Sequence, residues 1–162
     1  MKEISLTHKQ FALVDDEDYA FWSQWSWFAV FNKSSKTYYA AHTVIGDEFK
    51  IFGNIKTALL HRVIMKTPNK MLCDHIDHNT LNNQKYNLRN VTQAQNQMNR
   101  RGPQANNKTG VLGVQTTGKR FFAFIFVDGK EVRFPARSTI EEAIRDRKEA
   151  EIKYYGEYRS AK

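Results

Sequence analysis

Apolar and polar residues alternate over short runs through the first part of this chain, and apolar residues recur at helical spacing near its end. In "QFALV", Phe11, Leu13 and Val14 mark a strand, and Asp15 stands where it can cap a helical turn over "DDEDYAFWSQW". "WSWFAVF" and "TYYAAHTVI" are rich in aromatic and β-branched residues, and "NKSSK" between them is turn chemistry, so a hairpin is expected. Trp22, Trp25 and Trp27 supply the apolar area that a small core needs. "KTALLHRVIMKT" sets Leu59, Leu60, Val63, Ile64 and Met65 at helical spacing, with Thr57 as N-cap and Pro68 beyond the end. "KMLCDH" and "LRNV" read as two strands around a polar loop, and Thr92 can cap a helix over "QAQNQMNR".

A second pattern follows "RRGPQANNKTG", which has no apolar periodicity and reads as a linker. "GVLGVQ", "RFFAFIFV" and "KEVRF" are three strands, with Asp128-Gly129 placed for a type I′ turn between the last two. Ser138 and Glu141 have capping-box spacing ahead of a helix that Gly156 can end. Ile140, Ala143, Ile144, Ala150 and Tyr154 give that helix a core face. The alternating Phe122, Phe124 and Phe126 are core on at least one face. The expected fold class is therefore α+β, with a β-rich N-terminal region, a strand–strand–helix segment, and a three-stranded sheet with one helix.

Composition narrows the function classes. With 162 residues, 41% of them hydrophobic, the chain can bury one medium core or two small ones. No apolar run reaches the roughly 20 residues of a membrane span, and the N-terminus lacks the apolar stretch of a signal peptide, so a cytoplasmic protein with no membrane partner is expected. One cysteine, Cys73, excludes an internal disulfide and a cysteine-based zinc site. The net charge of +8 is unevenly spread: between Asp77 and Asp128 there is no acidic residue, while Lys85, Arg89, Arg100, Arg101, Lys108, Lys119 and Arg120 fall in that interval. Such a segment repels itself unless an anion offsets it, and the usual anion is a phosphate backbone. The alternative is a merely solvated basic surface.

The candidate chemistry lies in "DHIDHNTLNNQKYNLRNVTQAQN", Asp74 to Asn96, which holds six asparagines. Amides and imidazoles gain nothing from burial unless each finds a partner, so this is not ordinary core sequence. Cutting a phosphodiester needs a base for the attacking water and neutralisation of the leaving oxygen, tasks suited to a neutral His and one divalent cation. Hard cations prefer oxygen ligands, which Asp and Asn supply. Asp74 and His75, adjacent at a strand end, point to opposite sides, and Asn96 on the following helix can offer a second oxygen.

From about Leu60 to Arg100 the chain resembles the HNH nucleases in order, spacing and flanking residues, "LHRVIM…DHIDHNTLNNQKYNLRNVTQAQN". The resemblance implies a ββα-metal fold, with Asp74 and Asn96 as ligands of one Mg2+ or Mn2+ and His75 as general base. It implies that Asn87 holds the loop so that His75 keeps its orientation, although a purely structural Asn87 is weighed equally. Asn96 stands where the wider family often has His, and His78 where relatives often have Gly. His61 reads as structural or phosphate-adjacent, while Asp77, Asn79, Asn82 and Asn83 read as residues that knit the loop.

The tail, "TGVLGV…GKRFFAFIFVDGKEVRF…STIEEAIRDRKEAEIKYYGEY", is similar to AP2-type DNA-binding domains. Phe121–Phe122 replaces that family's usual Trp, and Leu112 stands where plant members often place a base-contacting Arg. The resemblance divides the chain into an N-terminal β-rich region (1–56), an HNH core (57–101), a basic linker (102–107) and an AP2-like domain (108–162). Expected contacts to double-stranded DNA are Arg89, Arg100, Arg101, Lys108, Gln115, Lys119, Arg120, Arg133 and Arg137. The implied function is that of a homing endonuclease, a type encoded by phages and mobile elements. The competing reading is a non-catalytic DNA-binding protein; RNA cleavage ranks third, for want of a stacking signature. No segment reads as an obvious dimer helix, so a monomer is favoured over a symmetric dimer, and the sequence does not fix the oligomeric state.

Overall fold

Ile4, Ala12 and Val14 are buried because β1 (Lys2–Ser5) and β2 (Phe11–Val14) pair antiparallel with Ile4 opposite Ala12, turning one face of the ribbon inward. The computed structural model describes residues 1–100, 102–103 and 105–160. The chain is α+β and divides into two compact units, Met1–Thr92 and Gln93–Lys162. Among the described residues no helix is long and apolar enough to cross a membrane.

In the first unit α1 (Asp16–Trp22) leads to a hairpin of β3 (Phe28–Asn32) and β4 (Thr37–Thr43). Asn32 explains the turn, since its side-chain oxygen accepts from the backbone of Ser34 at 2.9 Å and Ser35 at 3.2 Å. A short helix, α2 (Phe49–Phe52), buries Phe52 against the three tryptophans, and Trp27 Nε1 donates to the Trp22 carbonyl at 2.7 Å. Thr57 is not the N-cap that its sequence position suggests. It opens a strand, β5 (Thr57–Leu59), which extends the sheet beside β4, and the helix α3 is confined to Leu60–Ile64. The buried Ala58, fully enclosed by that pairing, is the reason: cross-strand burial overrides the local helical pattern. Strands β6 (Leu72–His75) and β7 (Leu88–Val91) then pair antiparallel. Residues expected to form two domains share one core, which runs from Ile4, Ala12 and Val14 through Trp22, Trp27 and Phe52 to Leu60, Ile64 and Leu88.

The second unit opens with α4 (Gln93–Met98) and continues with β8 (Val114–Thr117), β9 (Arg120–Val127) and β10 (Lys130–Arg133), an antiparallel sheet in the order β10-β9-β8. Strand β8 starts later than the sequence pattern suggests. Asn107 ties residues 107–114 into a loop instead, donating to the Val111 and Val114 carbonyls at 3.1 Å each. Asp128 and Gly129 have φ of 50° and 76°, the backbone that a type I′ turn requires. The helix α5 (Ile140–Tyr155) is capped by Thr139 and Glu142, one residue beyond the expected pair: Glu142 N donates to Thr139 Oγ1 at 3.3 Å, and Thr139 N to Glu142 Oε2 at 3.2 Å. Tyr155, not Tyr154, joins the core with Ile125 and Ala150.

Arg147 fills a place on α5 where an apolar residue would be expected, and is 7% exposed. It donates to the Phe124 carbonyl and to Glu151, and its guanidinium lies 5.4 Å from the Tyr155 ring centroid. Gly113 makes room for it: a Cβ there would come within 2.6 Å of Arg147 Cζ, and its φ of +70° already favours glycine. Gly113→Ala is therefore expected to destabilise the second unit by about 2 kcal/mol. Amide hydrogen exchange along β9, read by NMR, should speed up by about thirtyfold if opening of this unit governs it.

Candidate active site

The end of β6 places Asp74 and His75 side by side, and strand alternation sends them to opposite faces. His75 pairs with Leu88 and is buried, at 4% exposure. Asp74 pairs with Arg89, whose Nε and Nη2 reach Asp74 Oδ2 at 3.0 and 2.9 Å. The side chains of this ion pair are 11% exposed at Asp74 and 14% at Arg89.

Residues 76–87 between the strands are held by amides rather than by apolar packing. Asn87 Oδ1 accepts from Asp77 N at 3.0 Å, while its Nδ2 donates to Asp77 Oδ1 and to the Asn82 carbonyl, both at 2.9 Å. Its own carbonyl accepts from Ile76 N at 2.8 Å. Asn82 Nδ2 reaches Asp77 Oδ2 at 3.2 Å, and Asn79 N reaches Asp77 Oδ1 at 2.7 Å. Burial works against the Asp77 carboxylate, but the Asn79 amide and the Asn87 and Asn82 side chains outweigh it and hold its pKa below the ordinary value. Asn82, Asn83 and Asn87 are all buried. His78 adopts φ of 64°, a left-handed turn that glycine takes more readily.

The N-terminal region fixes this loop from outside. Leu13 N donates to the Leu81 carbonyl and Asn83 N to the Leu13 carbonyl, each at 2.8 Å. Thr80 Oγ1 donates to the Tyr38 carbonyl at 2.6 Å. Asp15, expected to cap α1 with its side chain, instead accepts from Lys85 N at 2.8 Å and Gln84 Nε2 at 3.1 Å. Lys85 closes the contact by pairing with Glu17 at 2.7 Å and with Asp18 at 2.9 Å.

Behind His75 lies an aromatic cluster that the apolar setting of "LHRVI" conceals in the sequence. The His61 ring centroid is 5.0 Å from that of His75, and Tyr39 is 5.5 Å from His61 and 6.1 Å from His75. Burial, then the neighbouring His75 and Arg62, push the His61 pKa down to about 3. Burial also lowers the pKa of His75, opposed by Asn83, Asp74 and Asp77, so a neutral imidazole is favoured at neutral pH. Cys73 is half-buried, its thiol pushed up to about 11 by burial, and it donates to the His61 carbonyl at 3.4 Å.

The first unit thus brings together Asp74, His75, Asn87 and Arg89, while Asn96 lies half-buried on α4 in the second unit. Among the described residues no group of three or more His, Cys, Asp or Glu side chains could hold a metal. Of the two expected oxygen ligands, the Asp74 carboxylate is held by Arg89 and Asn96 belongs to the second unit.

In the second unit, register puts Gln115, Arg120 and Arg133 on the sheet face that carries Phe122, Phe124 and Phe126, opposite the face of Ala123 and Ile125. Phe126 is half exposed, whereas Phe122 is buried with the Arg133 guanidinium 5.1 Å from its ring centroid. Arg120 Nη2 donates to the Ala136 carbonyl at 2.6 Å, and Arg133 pairs with Glu131. Lys119 stands in the β8–β9 turn, and Arg100 and Lys108 are exposed. Arg137 meets Asp146 through two hydrogen bonds, of 2.7 and 3.0 Å, and so braces α5. Arg101 lies outside the described residues.

The two depressed histidines set a pH dependence. Between the ordinary value of 6.5 and about 3, the unfolded chain binds a proton at His61 that the folded chain does not. The stability of the first unit should therefore be full above about pH 6.5 and fall on acidification, by up to about 1.4 kcal/mol per pH unit for each such histidine. All three tryptophans lie in this unit, so urea melts followed by tryptophan fluorescence read it selectively. His61→Leu, which also removes a buried Nδ1 that has no partner among the described residues, should flatten the slope by one histidine's share.

No known protein family, curated protein or solved structure matches the chain.

Proposed function

We propose that this chain is a divalent-metal-dependent DNA endonuclease of the HNH type, in which the second unit is an AP2-like module that holds DNA. The observation that carries the reading is the pairing of β6 with β7, which sets Asp74 and a buried His75 side by side at the mouth of a loop braced by Asn87. Strand, loop, strand and the short helix α4 follow in the order that a ββα centre requires.

His75 is the base. Its lowered pKa favours the neutral imidazole that a base requires. The water oxygen attacks phosphorus as His75 takes a proton; the bond from phosphorus to the 3′ oxygen breaks, and that oxygen is protonated from solvent, leaving 5′-phosphate and 3′-hydroxyl ends. In the first unit the Asp74 carboxylate would hold a bound Mg2+ or Mn2+, which would neutralise charge on the phosphate and the leaving oxygen. Asn87 acts through Asp77 and the loop backbone, fixing the segment that follows His75.

The three-stranded sheet against one helix supports the AP2-like reading of the second unit. Gln115, Arg120 and Arg133 on its outer face, with Lys119 at the turn and exposed Arg100 and Lys108, are suited to phosphates and base edges. One observation favours the alternative of DNA binding without cleavage: the Asp74 carboxylate is already engaged by Arg89.

Supercoiled DNA incubated with Mg2+ separates the readings. Wild type should yield relaxed or linear product that EDTA suppresses, and His75→Ala should lose about a hundredfold or more in rate while retaining DNA in a gel-shift assay. DNA retention by wild type without any product under Mg2+ or Mn2+ would establish the binding protein instead.

A further inference from the structure

The Asp74–Arg89 pair has a geometry that a surface ion pair lacks. The two residues face each other across the β6–β7 ladder, and Arg89 places two nitrogens on one carboxylate oxygen, Oδ2, at 3.0 and 2.9 Å. Both side chains are mostly withdrawn from solvent, at 11% and 14% exposure, so water screens the pair little. A guanidinium keeps its charge at any accessible pH. Its positive charge therefore sits at the carboxylate that the proposed function assigns to the cation.

We propose that Arg89 is a latch on Asp74, a fixed monocation that competes with a divalent ion until a DNA phosphate draws the guanidinium away. The inference rests on the endonuclease reading, in that it takes Asp74 as a metal ligand. Three physical points support it. A carboxylate that shares its charge with a guanidinium binds a dication less tightly, because the two cations repel across a few ångströms of protein. A phosphate oxygen pair is the other ligand for which the guanidinium fork is shaped. Arg89 is also the only basic residue among those expected to meet DNA that lies in the first unit, beside the proposed base. The latch would leave the centre without its dication in the absence of substrate and couple metal uptake to the arrival of a polyanion.

A purely structural cross-strand pair predicts the opposite sign. If Arg89 only orients Asp74, removing it weakens metal binding; if it competes, removing it strengthens metal binding. The full chain is titrated with Mn2+ alone, without DNA, and the free ion is followed by its EPR signal. Arg89→Gln removes the charge but keeps an amide that can donate to Asp74, and should bind Mn2+ about tenfold tighter than wild type. Arg89→Lys, which keeps the charge, should stay near wild type. Asp74→Asn should lose the site in either background. Adding a phosphorothioate duplex, which resists cleavage, should narrow the gap between wild type and Arg89→Gln.

Equal or weaker Mn2+ binding by Arg89→Gln, with far-UV circular dichroism unchanged, overturns the latch and leaves the endonuclease reading standing. A gap that persists on DNA overturns release by phosphate. Mn2+ binding that Asp74→Asn does not alter, or none in any variant with or without DNA, removes the metal reading and the latch with it. Should Arg89→Gln fail to fold, Arg89→Met, which keeps the stem without the charge, answers the same question by whether added Mn2+ raises its melting temperature more than that of wild type.

Discussion

Everything at the candidate centre depends on one buried carboxamide. Asn87, at 1% exposure, accepts from the Asp77 backbone and donates to the Asp77 carboxylate and the Asn82 carbonyl. Residues 76–87 have few apolar side chains to bury, so polar contacts rather than apolar packing give the loop its shape. Each of these hydrogen bonds contributes only about 1 kcal/mol, yet leaving a buried partner unsatisfied costs about 1–3 kcal/mol, and the network shares partners. Because Asp77 follows His75 by two residues, the same bonds that close the loop also fix the backbone leaving β6.

The N-terminal region extends that constraint. The backbone of Leu13 brackets the loop through Leu81 and Asn83, and Asp15 takes two donors from Gln84 and Lys85. A β-ribbon and the helix α1 thus act as a clamp on the segment that holds the candidate site. This is the physical reason why residues 1–92 behave as one unit with a shared core.

What was legible in the sequence was local. The β3–β4 hairpin, the strands "LCDH" and "LRNV", the Asp128-Gly129 turn and the long helix α5 all follow from periodicity and turn chemistry. Thr57–Leu59 was not legible, since "TALLHRVI" suits a helix and only the distant β4 makes it a strand. Nor was Arg147 in the second core, because its place is made by a glycine, Gly113, far along the chain. At the site, the Asp74-His75 pair and the amide-rich loop were visible as residue types. The His61–His75–Tyr39 cluster was not, because it joins three elements that only the tertiary fold brings together.

Charge shows the same limit with a sharper consequence. The long interval without acids suggests a surface of one sign, yet the fold answers part of it with carboxylates from elsewhere or from its margin: Lys85 meets Glu17 and Asp18, and Arg89 meets Asp74. Arg137, beyond that interval, meets Asp146 in the same way. The interval's other exposed cations among the described residues lie in the second unit, at Arg100, Lys108, Lys119 and Arg120; Arg133, beyond it, shares its charge with Glu131. Of this interval, then, the second unit offers a polyanion its exposed charge, while Lys85 and Arg89 in the first unit are paired with carboxylates. On the proposed function this division has a use: affinity resides in one unit and reactivity in the other, so the reactive unit engages phosphate only when the binding unit delivers it.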